Sequence, residues 1–266
     1  MSFPAVLAGY SGPLVALVVA VVLFGGVVKG LVGFGYAIAS TAVLATVLGP
    51  TTAVVAMILP TMVANLALFG ELDVAGVRKC VRRFWPYVGA AMAGTTAGML
   101  ALADVPRSAL ALMLGAFTLG YVLVRQRSLR LPGESVIARH CFTDGFGAKV
   151  GLGLLSGAIF GAGNVAVQVV AYLENLSLDR STFASVLAMI LVGISAVRVG
   201  IAWWLGLYGS GRVFVLSMLA VPPGFVGVAL GRRLRLRAPD RLLDAGVLIL
   251  LAAIGLRLLV GGAVGL

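Results

Sequence analysis

Ten apolar segments, most of them near the length that crosses a bilayer, follow one another with little but glycine, proline and basic stretches between them. They run over Leu14–Val32, Tyr36–Leu48, Thr51–Phe69, Phe84–Leu102 and Arg107–Val124. After a polar stretch they resume over Val150–Ala162, Asn164–Leu176, Ser181–Leu205, Val213–Leu230 and Arg241–Val260. A helix needs about 20 mostly apolar residues to cross the hydrocarbon. Inside lipid every backbone polar group must be satisfied within the protein, which leaves only helices or a closed barrel. The composition fits helices: 61% of the 266 residues are hydrophobic and 11% charged, against about 45–50% and 25% in soluble domains. The chain reads as an all-α polytopic membrane protein.

The net charge of +11 is concentrated. Of 20 Lys and Arg, 14 fall in three blocks: Val77–Phe84, Arg125–Lys149 and Arg232–Arg241. Each lies between apolar segments, as cytoplasmic loops do under the positive-inside rule, so the charge marks topology and not a nucleic-acid surface. The expected location is the cell (inner) membrane, multi-pass, with the basic loops cytoplasmic. Two cysteines, Cys80 and Cys141, fall in these blocks without a C-x-x-C or Cys/His cluster, which points to reduced thiols and neither zinc nor a disulfide scaffold.

The two halves of the chain resemble each other. GFGY (Gly33–Tyr36) precedes LGPTTAVVAMILP, as GAGN (Gly161–Asn164) precedes LSLDRSTFASVLAMI. PYVGAAMAG (Pro86–Gly94) is echoed by PGFVGVALG (Pro223–Gly231). The pattern predicts residues 1–130 as a first membrane repeat, 131–148 as a cytoplasmic linker and 149–266 as a second repeat. If all three basic blocks are cytoplasmic, the chain crosses an even number of times between the second and third. Ser181–Leu205 and Val213–Leu230 supply two crossings, so Val150–Leu176 must enter and leave on one side. Tyr36–Leu48 and Asn164–Leu176, at about 20 Å of helix each, are too short to span. The expected architecture is two inverted repeats, each a broken re-entrant helix pair plus three transmembrane helices. Discontinuous helices in corresponding positions of such repeats point to a transporter's binding site.

That architecture gives a purpose to VVKGLVGFGY, where a lysine and three glycines interrupt an apolar run. A lysine at the bilayer centre costs roughly 2.5–3.5 kcal/mol on insertion scales, and each mid-helix glycine about 1 kcal/mol relative to alanine. Gly33 and Gly35, with Gly161 and Gly163, are expected to mark the two helix breaks. Half-helices starting near Tyr36 and Asn164 would then aim positive dipole ends at the midplane. Asn164 is a favoured N-cap residue type, and Lys29 adds a full charge one turn before the first break. Tyr36 would either gate the path or touch the substrate. Close packing of helices is the alternative use of the glycines. Asn65 either contacts substrate or hydrogen-bonds a neighbouring helix. Arg198 either contacts substrate or snorkels past Trp203 and Trp204, and Gln168 is a further candidate. With one histidine, His140, in a polar loop and no buried acid pair, nothing suggests an enzyme, a metal or a cofactor. Expected partners are a small anion and the lipid bilayer, with pairing into a homodimer left open and no nucleic acid.

Residues Gly25–Leu66, together with Gly153–Ile190 and the helix pairs that follow each, resemble the sulfite exporter TauE/SafE family of membrane permeases. The resemblance covers nearly the whole chain. It implies export of sulfite, thiosulfate or small organosulfonates, with the glycine breaks beside the substrate path. Alternating access to a midplane anion site is the mechanism expected from the inverted repeats. An anion-selective channel and a non-transporting membrane scaffold are the competing readings.

Overall fold

The computed structural model describes residues 11–32, 35–66, 74–125, 145–174, 180–209, 211–235 and 240–264. Their regular elements are α-helices: α1 (Gly12–Val32), α2 (Tyr36–Leu48), α3 (Pro50–Ala56), α4 (Ile58–Leu66), α5 (Val74–Asp104), α6 (Arg107–Arg125), α7 (Phe146–Gly163), α8 (Val167–Glu174), α9 (Arg180–Trp204), α10 (Arg212–Arg235) and α11 (Asp240–Val264). Among the described residues, α1, α7 and α10 are long and apolar enough to cross a membrane, and shorter apolar stretches lie at Tyr36–Leu48, Pro50–Leu66, Arg107–Gly120, Met189–Trp204 and Leu248–Val264. The outward faces are also apolar. Trp85, Phe146, Trp203, Trp204, Ile249 and Val260 are each more than half exposed, a surface suited to lipid and not to water.

The glycines of the repeated motifs decide how the helices pack. In the first pair, Gly26 and Gly30 of α1 lie against Gly224–Arg232 of α10, where Gly227 and Gly231 lie in turn against Leu23 and Val27. In the second, Gly94 and Gly98 of α5 lie against Leu154 and Ala158 of α7, whose Gly153 and Gly157 face Tyr87 and Ala91. At each of these contacts a Cβ would collide with backbone of the opposite helix. Residue numbers rise together along both pairs, so each is parallel. Lipid offers no hydrophobic drive between helices, and small residues that admit close van der Waals contact take over that role. Hydrogen bonds reinforce the second pair: the Tyr87 hydroxyl donates to Ser156 Oγ at 2.9 Å and Thr95 Oγ1 to the Gly157 carbonyl at 3.2 Å. Helix α6 runs antiparallel to α11, with Gly115 against Gly255 and Leu259, and Gly262 against Ser108.

The structure corrects four expectations. The basic block at Val77–Phe84 is not a loop but part of α5, and the helical run of α10 likewise takes in Arg232 and Arg233. The span expected over Thr51–Phe69 is two helices that meet at Met57. Backbone bonding continues across the joint, from Met57 N–H to the Ala53 carbonyl at 3.2 Å and from Thr61 N–H to the Met57 carbonyl at 3.1 Å. Pro60 has no N–H to give to Ala56, which explains the interruption. The third correction is that α7 starts at Phe146 and has 18 residues, so the first arm of the second pair is longer than Val150–Ala162. The fourth is the position of the second break, described next.

Candidate functional site

Two interruptions of the helical ladder meet inside the protein. The first separates α1 from α2. Gly35 there has φ 94°, a conformation that glycine reaches without the Cβ penalty; Gly33 lies outside the described residues. The second is displaced from the glycines that led to its prediction. Gly161 and Gly163 are both helical, and α7 continues to Gly163. The turn is made by Asn164, the one described non-glycine residue with positive φ, at 59°. Asparagine is among the few side chains that tolerate this region. Asn164 is therefore the C-cap of α7, its N–H bonded to the Phe160 carbonyl at 3.0 Å, and not the N-cap of the following helix. That helix begins at Val167.

Asn164 ties three helices together. Its Nδ2 donates to Thr41 Oγ1 of α2 and to the Val54 carbonyl of α3, both at 3.0 Å. Its Oδ1 accepts a hydrogen bond from Arg198 Nη1 of α9. The side chain is fully buried.

Between the breaks lies a cavity of about 80 Å³, roomy beside the roughly 10–15 Å³ needed to seat one water. Its polar wall comprises Lys29, Tyr36, Thr61, Asn65 and Asn164, with the Gly35 backbone. Ile38, Phe160, Val170, Leu187 and Leu191 form much of the apolar wall. Lys29 Nζ donates to the Ala64 carbonyl at 3.0 Å and to Asn65 Oδ1 at 3.1 Å. An ammonium has three N–H donors, so one is left over. Both acceptors are neutral, and no carboxylate among the described residues pairs with this charge. With its oxygen occupied by Lys29, Asn65 presents Nδ2, which like the buried Thr61 hydroxyl has no partner among the described residues; the Tyr36 hydroxyl lies against Gly224 of α10. A positive charge and unused donors on one small cavity form a lining complementary to an anion.

Of the residues singled out in the sequence, Lys29, Gly35, Tyr36, Asn65 and Asn164 come together on this cavity. Gly161, Gly163, Gln168 and Arg198 do not line it. Gly161 packs on α5, where a Cβ would stand 2.6 Å from the Thr95 carbonyl oxygen. Gly163 faces the side chains of Met113, Leu114 and Val165. Gln168 Nε2 turns back to the Val165 carbonyl at 2.8 Å and stabilises the α7–α8 connection. Arg198 is fully buried behind Asn164 and Phe160, so it does not snorkel to an interface. The sequence reading missed Thr61 and Phe160. Thr61 could have been found from its place one turn before Asn65, since residues four apart share a helix face. Phe160 carries no signal that separates it from any other apolar residue of α7.

The described residues form a helical protein of membrane type with a cation-bearing cavity between two helix breaks. Residues 18–258 match the family model for the sulfite exporter TauE/SafE. The chain belongs to that family, whose members are membrane transporters for sulfite export and not enzymes. No curated protein and no solved structure matches the chain.

Proposed function

We propose that this chain exports a small sulfur oxyanion, such as sulfite, thiosulfate or a short organosulfonate, through the Lys29 cavity. The observation that carries the reading is the Lys29 ammonium, held by two neutral carbonyl oxygens with a donor to spare and no carboxylate partner among the described residues. A charge withdrawn from water calls for pairing, and an anionic substrate supplies it. The unpartnered donors of Asn65 and Thr61 would take further oxygens of the same ion.

Alternating access between two inverted halves is the motion that fits best. The first helix of each half packs on a long helix of the other, α1 on α10 and α7 on α5, so the cavity lies where one half can rock against the other. Inversion is supported by charge. Lys149 Nζ donates to the Arg83 carbonyl at 3.1 Å, which brings the starts of α5 and α7 to one face. The basic end of α10 belongs at that same cytoplasmic face under the positive-inside rule, which makes α10 antiparallel to its counterpart α5. With the cell interior negative, outward movement of one anionic charge releases about 2.3 kcal/mol per 100 mV, so export needs no coupled ion.

The test is flux in proteoliposomes at an imposed potential, with sulfite, thiosulfate and C2–C3 sulfonates set against chloride and acetate. Saturable flux of a sulfur oxyanion that disappears in Lys29→Met, with the variant still monodisperse in detergent, is the expected result. Unchanged flux in Lys29→Met would remove Lys29 from the site. Flux that does not saturate would favour a channel, and movement of none of these anions would end the reading.

A further inference from the structure

The half-buried Lys29 is not the only interior cation without a counter-ion among the described residues. Arg198 of α9 is completely buried, yet only its Nη1 has a partner, Asn164 Oδ1; Nε and Nη2 have none among the described residues. Nothing in the Lys29 reading uses this group. The Phe160 ring lies 5.0 Å from the guanidinium carbon, in range for a cation–π contact, but that leaves the N–H groups idle. Buried donors in native proteins are satisfied nearly everywhere, and an exception calls for a missing partner such as an ion.

The idle atoms are informative in their arrangement. Nε and Nη2 form one edge of the planar guanidinium, with two parallel N–H bonds, and this is the fork that grips two oxygens of a carboxylate, phosphate or similar oxyanion. Ser195 stands one turn earlier on the same helix face, and its hydroxyl is also buried without a partner. Tyr208, in the turn after α9, adds a second buried hydroxyl with no partner among the described residues. Burial pushes its phenol up to about 12, and the nearby Arg198 charge opposes that rise. Asn164 and Phe160, which hold Arg198 on one side, line the Lys29 cavity on the other. The two cations face opposite sides of one thin partition.

We propose that the Nε–Nη2 edge of Arg198, with the Ser195 and Tyr208 hydroxyls, is a second station for a small oxyanion, reached from the Lys29 cavity when the Asn164–Phe160 partition moves. The station rests on the reading of the chain as an anion transporter. In the conformation described, the partition is closed and Arg198 is held ready by Asn164. An ion leaving Lys29 would find a guanidinium fork one side chain away, and transport would be a handover between two cations.

Equilibrium dialysis of detergent-purified full-length protein with ³⁵S-labelled sulfite tests this, alongside the shift in unfolding temperature that sulfite produces. Lys29→Met should retain weaker but saturable binding and a smaller thermal shift. Adding Arg198→Gln should abolish both. Adding Arg198→Lys instead, which keeps the charge but loses the fork, should weaken the residual binding by tenfold or more. Should both Arg198 variants fail to fold, Lys29→Met/Ser195→Ala decides, because it removes a hydroxyl that bonds nothing and should still weaken residual binding several-fold. A merely structural Arg198 would change unfolding temperature equally with and without sulfite. The station is refuted if Lys29→Met binds no sulfite while the wild type does, or if the double variants bind as Lys29→Met does. If the wild type itself binds none of the sulfur anions, the transporter reading fails first.

Discussion

Gly161 and Gly163 stand two residues apart in one motif, and exchanging each for alanine separates two uses of glycine. Both lie near the end of α7, so the gain in helix propensity, about 1 kcal/mol, is common to both variants and cancels in their difference. What remains is packing. At Gly161 a Cβ would stand 2.6 Å from the Thr95 carbonyl oxygen, 3.1 Å from Thr95 Cα and 3.3 Å from Gly98 Cα. All three are backbone atoms of α5. Ordinary contact begins at 3.4 Å, so α5 and α7 must separate along their closest seam and lose contact on both sides of it. Forcing a methyl into a tight interior costs about 1–3 kcal/mol. At Gly163 the nearest atoms are Met113 Cε at 3.3 Å and the methyls of Leu114 and Val165 at 3.5 Å, side-chain ends that yield. Gly161→Ala should therefore be less stable than Gly163→Ala by about 1–3 kcal/mol, measured by reversible SDS unfolding in mixed micelles. Equal stabilities, or the reverse order, would refute the account of the α5–α7 seam.

Other outcomes follow from the same geometry. Gly98→Leu, against the Ala158 backbone, should damage expression more than Gly163→Leu, whose neighbours are side-chain ends; yields of folded protein on size exclusion decide it. Asn164→Ala strips the one partner from Arg198 and puts alanine at φ 59°. Leaving a buried donor unsatisfied costs about 1–3 kcal/mol and more when the group is charged, so the same SDS titration should show a clear loss. Thr61→Val removes a hydroxyl with no partner, so stability should hold while the KM for the transported anion rises; an unchanged KM would take Thr61 out of the site. For a monoanion moving alone, the concentration ratio at zero net flux should change about tenfold per 60 mV, and a shallower slope would reveal a coupled charge.

The sequence was most legible where one residue type has one use. The limits of α2 match the reading of Tyr36–Leu48 because Gly35 and Gly49 flank it at positive φ and Pro50 opens the next helix. The second break was misplaced because glycine serves two ends. In GAIFGAG the glycines accept a neighbouring helix, and the turn falls to asparagine. One sequence does not distinguish a glycine that bends the chain from one that lets another chain approach. The cavity was partly legible, since a lysine in an apolar run is costly enough to need a reason. Its partner Asn65 is 36 residues away and the Asn164–Arg198 contact joins residues 34 apart. Such pairings depend on tertiary packing and leave no periodic trace.

The crosswise seams also impose an order of assembly. The glycine face of α1 is covered by α10, and synthesis must proceed from Val32 to Arg212 before that partner exists. At about 5–20 residues per second this takes on the order of 10–40 s, during which the groove on α1 has only lipid, or an insertion factor, to occupy it. Neither half of the chain contains the helix that closes its own first seam. Each is born incomplete, and the nascent first half should remain a substrate for membrane chaperones and proteases until α10 arrives.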